Sequence, residues 1–478
     1  MGKEPFHDWE QKHGLLNKKC IDGFQYWNYM RRDMNMSFRD EYAEIEPAFY
    51  QSIKEQKKEG LLSKIRKLAS LFLPSGNGRA KHSDVLFLCH PRRQEENGKM
   101  VSIYTDYIAG CFPESLTVQR SGLGKYPKET IYSKNLIFLD RIVIKSYIYR
   151  YLRMIFTPGK YKRVREQIRC EMEEPFRDLK ENYGLHPGLD DFADRAALLY
   201  FIYKYRYRQY EKLLKSISPK IIVEVVGLSL DAKILNEAAY NSGIRTVELQ
   251  HGTGALNIYY PDNTVIKQFP MYYFTFGDFW SRAMKPPIPA DHIVSMGFPY
   301  HDMMMKDYPP ERRKKDKNTV IFLSSRKYGK DLSEVAVELK RIRPVTNVIF
   351  KLHPREYADY REKYPALKDS GLEIAADNKT PLYELFSRCS MQVGVESTAI
   401  YEGMSFSLDT FIWDIPKAAL MKEMVDKGYA VKFKDAGELA GLMDEREEGN
   451  TAYDMNDFWK GNSLDNIVNG IKELEDVL

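Results

Sequence analysis

The sequence predicts an α/β protein of two doubly wound, Rossmann-like domains facing each other across a cleft, preceded by a helical N-terminal extension. Three observations predict it. Short, continuously apolar runs alternate with helical segments twice over, in residues 84–297 and again in 318–414. A proline-paired, charge-dense stretch, YPPERRKKDKN (308–318), separates the two series as an interdomain linker would. Polar residues recur directly after the apolar runs, where open parallel sheets bind ligands.

Length and composition permit this architecture. A chain of 478 residues exceeds one ordinary core, and 43% hydrophobic with 29% charged residues fits a folded globular protein. The net charge of +5, from 72 basic and 67 acidic residues, gives no reason to expect a nucleic-acid partner. Cys20, Cys89, Cys111, Cys170 and Cys389 lie far apart without metal-ligand spacing, as reduced thiols would. The start lacks an apolar signal core, and no apolar run approaches the roughly 18–20 residues of a spanning helix. The expected location is the cytoplasm, free or peripheral on the inner face of the cytoplasmic membrane.

The expected divisions are an extension over 1–80, a first domain with a helical insertion over 81–305, a second over 306–455, and a C-terminal helix over 456–478 that packs back on the first. In the extension, LLSKIRKLASLFLP (61–74) puts Leu61, Ile65, Leu68 and Phe72 on one face. Either it packs on its own domain with a solvated basic face, or it lies on anionic lipid. DVLFLCH (84–90) and NLIFLD (135–140) read as buried strands, and long helices are expected over 141–216. There Tyr200, Tyr203, Tyr207 and Tyr210 form a core-facing stripe with Lys204, Arg206 and Arg208 outside.

KIIVEVVG (220–227) is a strand, LDAKILNEAAYNSG (230–243) a helix with a glycine cap, and IRTVELQ (244–250) a strand, which together make a parallel βαβ unit. MYYFTFG (271–277) and HIVSMG (292–297) continue the sheet. The second series runs NTVIFLSS (318–325), a helix over 333–343, TNVIFKLHP (346–354), GLEIAAD (371–377), and a helix over 380–389 capped by Thr380. It goes on through MQVGVES (391–397), a helix starting at 397 and LDTFIWD (408–414), with helices at 417–426, 435–443 and 464–477.

The chemistry-bearing residues sit at the strand ends. Ser324, Ser325 and Arg326 follow one strand; Lys351, His353, Pro354 and Arg355 end another; Glu396, Ser397 and Thr398 follow a third. All three sets suit an anion. Ser397 and Thr398 open a helix, where free N–H groups and hydroxyls favour phosphate; plain N-capping is the alternative, and the coincidence of three polar sets weighs against it. His353 and Arg355 would add charge-assisted bonds. Glu402, one turn further, is placed to accept from ribose hydroxyls, and Thr380 with Tyr383 to flank a nucleobase. In the first domain, TVELQHGTGALN (246–257) ends a strand with His251 between Glu248, Gln250 and the glycines Gly252 and Gly254. There is no GxxxxGK[ST], no GxGxxG after a strand, no DxD, HExxH or GxSxG. That argues against P-loop kinases, dinucleotide oxidoreductases, zinc hydrolases and serine esterases.

Taken together, ELQHG (248–252), KLHPRE (351–356) and VESTAIYEG (395–403) resemble GT-B glycosyltransferases with an HP motif, specifically those of bacterial capsule and lipopolysaccharide assembly. YYFTFGDFW (272–280) and VSMGFP (294–299) extend the likeness, which covers residues 217–415. The resemblance implies a nucleotide-sugar donor on the second domain and an oligosaccharide or lipid-linked saccharide acceptor on the first. It also implies no metal or other cofactor, and donor phosphates held by His353 and the Ser397/Thr398 pair. His251 then serves as base toward the acceptor hydroxyl or orients the leaving group. Glu224, Asp106 and Glu248 are the carboxylate candidates for base, and the two glycines let backbone approach the ligand. A polyol-phosphate transferase with a CDP-linked donor, a sugar-nucleotide 2-epimerase and a non-catalytic polysaccharide-assembly protein are the alternatives. The basic 61–74 helix is the candidate for peripheral membrane contact.

Overall fold

The computed structural model describes residues 5–37, 82–119, 135–445 and 454–476, apart from 91, 92, 97, 255–257, 326, 327, 355, 378, 379, 416, 417, 419 and 420. The 61–74 segment, Arg326 and Arg355 lie outside the described residues.

Two helices, Pro5–Lys12 (α1) and Tyr26–Ser37 (α2), precede the first sheet. That sheet begins with Val85–Leu88 (β1), followed by a small antiparallel hairpin, Gln94–Glu96 (β2) and Lys99–Val101 (β3), and the short helix Asp106–Gly110 (α3). Leu116–Gln119 (β4) and Leu136–Phe138 (β5) extend it. Three long helices follow: Asp140–Phe156 (α4), Pro158–Tyr183 (α5) and Leu189–Ile217 (α6). Ile221–Glu224 (β6), Leu230–Asn241 (α7), Arg245–Leu249 (β7), Tyr272–Thr275 (β8), Asp278–Ala283 (α8), Ile293–Ser295 (β9) and Pro299–Asp307 (α9) complete the domain. The strand order is β5-β4-β1-β6-β7-β8-β9, every pair parallel. Helices on both faces bury β1 and β6 completely, which is why those strands read as unbroken apolar runs.

The second domain contains Asp316–Leu323 (β10), Gly329–Ile342 (α10), Asn347–Lys351 (β11), Tyr360–Lys363 (α11), Glu373–Ala375 (β12), Leu382–Arg388 (α12) and Cys389–Gly394 (β13). Thr398–Met404 (α13), Asp409–Trp413 (β14), Lys422–Asp426 (α14), Val431–Phe433 (β15) and Ala436–Glu445 (α15) follow. Its order, β12-β11-β10-β13-β14-β15, is wholly parallel. Numbered within the domain this is 3-2-1-4-5-6, the doubly wound Rossmann order, and the first domain repeats it with one more strand. The fold is therefore two Rossmann-like domains in the GT-B manner. The chain ends in Met455–Phe458 (α16) and Ser463–Asp476 (α17).

Four sequence expectations change. The N-terminal residues are not accessory. Trp9 Nε1 donates to the Pro175 carbonyl (3.0 Å), Asn28 Nδ2 to Gln268 (3.0 Å) and Lys233 Nζ to the Asn28 carbonyl (2.9 Å). Arg31 lies between Glu10 (2.6 Å) and the Tyr260 ring (3.7 Å). These contacts build α1 and α2 into the first domain, against α5 and α7. Arg206, expected outside, is fully buried. It shares a face with Tyr203 and Tyr210 at helical spacing, and there its Nη1 donates to Asp231 (2.7 Å) and its Nε to Ser146 (3.0 Å). The linker is shorter than 308–318, because β10 already starts at Asp316. Thr380 does not cap a helix: α12 starts at Leu382, with Pro381 in the N-cap position.

The domains share one apolar cluster. Phe276, Phe279, Trp280 and Phe298 of the first pack with Tyr383, Tyr401 and Phe406 of the second, closed by Phe458 and Trp459 from the C-terminal segment. That segment then crosses back. A Cβ at Gly277 would meet the Asp457 carbonyl at 2.5 Å, and one at Gly297 (φ +99°) would run into Lys460 and Ser463. Two glycines thus admit the strap that seats α17 against α3 and β6.

Candidate functional site

In both sheets the chain leaves the first-formed strand in one direction and returns on its other side. The crevice at such a reversal, beyond the carboxyl ends of the strands, is where doubly wound sheets take ligands. In the first domain it lies between β1 and β6; in the second, between β10 and β13. The two crevices meet: the Thr253 N–H donates to Thr398 Oγ1 at 3.0 Å.

On the first-domain side, His90 follows β1 and His251 follows β7, on either side of β6. Their rings lie 6.2 Å apart at 18°, with Tyr104 edge-on to His251 at 6.3 Å. Tyr104 also donates its hydroxyl to the His251 carbonyl (3.0 Å) and stacks on Phe298, which fixes the strand end against the domain interface. Gln250 is buried. Its Oε1 accepts from the Phe276 N–H (2.9 Å) and its Nε2 reaches the Gly252 carbonyl (3.4 Å), so the amide braces the turn that presents His251.

The glycines have a different use from the expected one. A Cβ at Gly252 would lie 2.7 Å from Thr398 Oγ1, so the close approach there is to the second domain rather than to a ligand. Gly254 is exposed, with nothing within 4 Å of a Cβ.

Two carboxylate candidates do not reach the crevice. Asp106 is buried and occupied by Arg93 Nη1 (2.7 Å) and the Ser102 N–H (2.9 Å). Glu224 is fully buried on the face under α7, where Asn236 Nδ2 donates to it (2.7 Å). Directly beside it in register is Glu248, also buried. Burial raises both carboxyls, and for Glu248 the charge of Glu224 adds to the rise while backbone N–H groups of Gly227 and Val226 oppose it. Gly227 is the residue that fits there: a Cβ would lie 2.5 Å from Glu248 Oε2 and 2.7 Å from Glu224 Oε1. The neighbouring Val226, β-branched, sits at φ +69°.

On the second-domain side the three polar sets follow β11, β10 and β13, adjacent strands of one sheet, and so share one rim. Ser324 is buried and Ser325 half-buried. The His353 N–H donates to Glu356 Oε2 (2.7 Å), while Tyr364 donates to the same carboxylate (2.7 Å). The buried Glu356, three residues on, therefore shapes the HP turn, as the glutamate of a capping box shapes a helix start. Pro354 is exposed. Lys351 is turned to Tyr357 (2.9 Å) and the Asp377 carbonyl (2.8 Å), and burial lowers its pKa to about 8.

Ser397 caps α13, its Oγ accepting from the Ala399 N–H (3.2 Å). Both it and Thr398 thus accept from backbone and keep an O–H to donate. Glu396 and Glu402 are half-buried on the same stretch. Tyr383 cannot flank a base: it is buried among Tyr300, His301 and Phe406, and its hydroxyl faces Glu402.

His90 and Tyr104 were missed by the sequence reading. DVLFLCH carries the signal that exposed His251, a polar residue ending a buried strand, whereas Tyr104 follows a hairpin too short and polar to register.

Among the described residues no three His, Cys, Asp or Glu side chains gather as a metal site would require, and no helix is long and apolar enough to cross a membrane. No protein-family model matches the chain, and no curated protein matches it in sequence. Among solved structures it is similar to the UDP-GlcNAc 2-epimerase of Methanocaldococcus jannaschii: TM-score 0.48, 12% identity, covering 81% of this chain and 99% of that one. It is also similar to the wall teichoic acid polymerase TagF (TM-score 0.46, 12% identity, 90% and 98% covered) and to MurG of Acinetobacter baumannii (0.44, 11%, 82% and 99%). These are partial likenesses in chain path.

Proposed function

We propose that the protein is a metal-independent glycosyltransferase that moves a sugar from a nucleotide-sugar donor to an oligosaccharide or lipid-linked acceptor of a surface polysaccharide of the capsule or O-antigen type. The observation that carries this reading is the meeting of the two switch-point crevices at Thr253 and Thr398, with imidazoles on one wall and hydroxyl donors on the other.

The donor's phosphates would lie along the second-domain rim. There Ser397 and Thr398 donate O–H bonds and His353 supplies charge, while Arg326 and Arg355 are further cationic candidates by sequence alone. Ser324, Ser325 and Glu396 line the same rim, and Glu402 takes ribose hydroxyls. From the other wall His251 Nε2 or Nδ1 takes the proton of the acceptor hydroxyl as its oxygen attacks the anomeric carbon. The bond from that carbon to the phosphate oxygen breaks and the nucleotide leaves with the electron pair, inverting the centre. His90 stands beside His251, the two rings 6.2 Å apart. Glu224 and Asp106 drop out as bases because neither can reach the hydroxyl.

The test is a thermal-shift screen with CMP, UDP, GDP, CDP and ADP on the wild type and the His353→Ala variant. Stabilisation by one nucleotide, lost in the variant, supports the donor rim. No response to any of the five contradicts it and leaves the reading of a non-catalytic assembly protein.

A further inference from the structure

Helix α4 begins packed and ends bare. Its first turns rest on α6: Val143 and Ser146 are buried, Arg206 Nε donates to Ser146 Oγ (3.0 Å), and Tyr149 packs against Tyr205. From Tyr151 to Phe156 every residue is exposed, and all but Arg153 are apolar or aromatic. Phe156 is 74% exposed, Tyr151 63% and Ile155 52%. Such a run, apolar on all sides of a helix, is unfavourable in water and marks a contact surface.

The charge along this stretch of chain has one sign. Between residues 141 and 165 the chain carries eight Lys or Arg and no Asp or Glu. Lys160 is paired with Asp22, Arg165 with Asp190 and Asp194, and Arg150 turns in over Tyr147. The remaining five are Arg141, Lys145, Arg153, Lys162 and Arg163, and among the described residues none has a carboxylate within ion-pair distance.

We infer that residues 151–156, at the elbow between α4 and α5, with Arg153 in the run and Lys162 and Arg163 following in the chain, dock on an anionic lipid bilayer. Six helical residues rise about 9 Å along the axis, far short of crossing a bilayer but enough to rest in its interface. Arg153, Lys162 and Arg163 beside the tip then lie near headgroup level, where each cation is attracted to anionic lipid. Charge disfavours the other occupants. A second copy would set Arg153, Lys162 and Arg163 against their own counterparts, and residues 61–74 are themselves basic through Lys64, Arg66 and Lys67. This surface is separate from the cleft and does not depend on the reaction proposed for it.

The test is cosedimentation of the full chain with phosphatidylcholine vesicles, with and without phosphatidylglycerol. It compares wild type, Leu152→Glu/Ile155→Glu/Phe156→Glu, and Lys162→Glu/Arg163→Glu, each first shown to melt like wild type. The wild type should bind only the anionic vesicles, and less as salt rises. The apolar triple variant should bind at least about tenfold more weakly, and the charge variant should lose most of the salt dependence. A wild type that stays in solution, or a triple variant that binds as the wild type does, would overturn the proposal. So would sedimentation showing a wild-type dimer that the triple variant dissolves, because the tip would then be covered by a second copy.

Discussion

Glu224 and Glu248 are the clearest case of residues whose role depends on what faces them. As sequence, each is an acid near the end of an apolar strand, a candidate base or a structural group. Side by side in register and buried, they can hold at most one negative charge cheaply. Burial raises both above the ordinary glutamate value of 4.5, with their mutual charge raising Glu248 further. The folded protein therefore keeps a proton that the unfolded chain releases near pH 4.5. The stability this contributes is full below that pH and is lost as pH rises through the folded value. Glu248→Gln should flatten that decline. Urea denaturation at pH 5 and pH 8 should show the variant gaining on wild type at the higher pH by roughly 1–3 kcal/mol. An unchanged difference between the two pH values would mean the pair carries no shared proton. His251 was legible because a buried parallel strand must be apolar on both faces until its end emerges, so a polar residue there stands out. The partner of each acid was not, because register across a sheet is set by pairing, not by local sequence.

At the scale of elements, most strands and helices of both series could be read, and the exceptions share a cause. The hairpin of QEE with KMV, the strand β4 and the edge strand β15 are short and give too few residues for a period to show. Helices α1 and α2 could be read as helices but not as part of the first domain, because buried polar bonds such as Lys233 to Asn28 and Arg31 to Glu10 hold them there. The C-terminal strap depends on two glycines that look ordinary in sequence. Gly297→Ala should destabilise the protein by roughly 1–3 kcal/mol, since it adds a Cβ against Lys460 and strain at φ +99°. Gly461→Ala, with open space around it, is the control. Equal denaturation midpoints for the two variants would show that the strap yields freely.

At the scale of the whole molecule, the two sheets obey one rule and their crevices meet at one hydrogen bond, while an apolar cluster shared by both domains and the C-terminal segment holds them together. In the proposed reaction the two walls take different tasks, phosphate on the second domain and proton transfer on the first, and the tasks separate experimentally. The deciding measurement is calorimetric titration of the nucleotide found by thermal shift into wild type, His353→Ala and His251→Ala. Binding should weaken roughly ten- to hundredfold in His353→Ala, the loss of a charge-assisted bond, and stay at wild-type affinity in His251→Ala with turnover abolished. Wild-type affinity in the His353 variant, or affinity lost in the His251 variant instead, would contradict it.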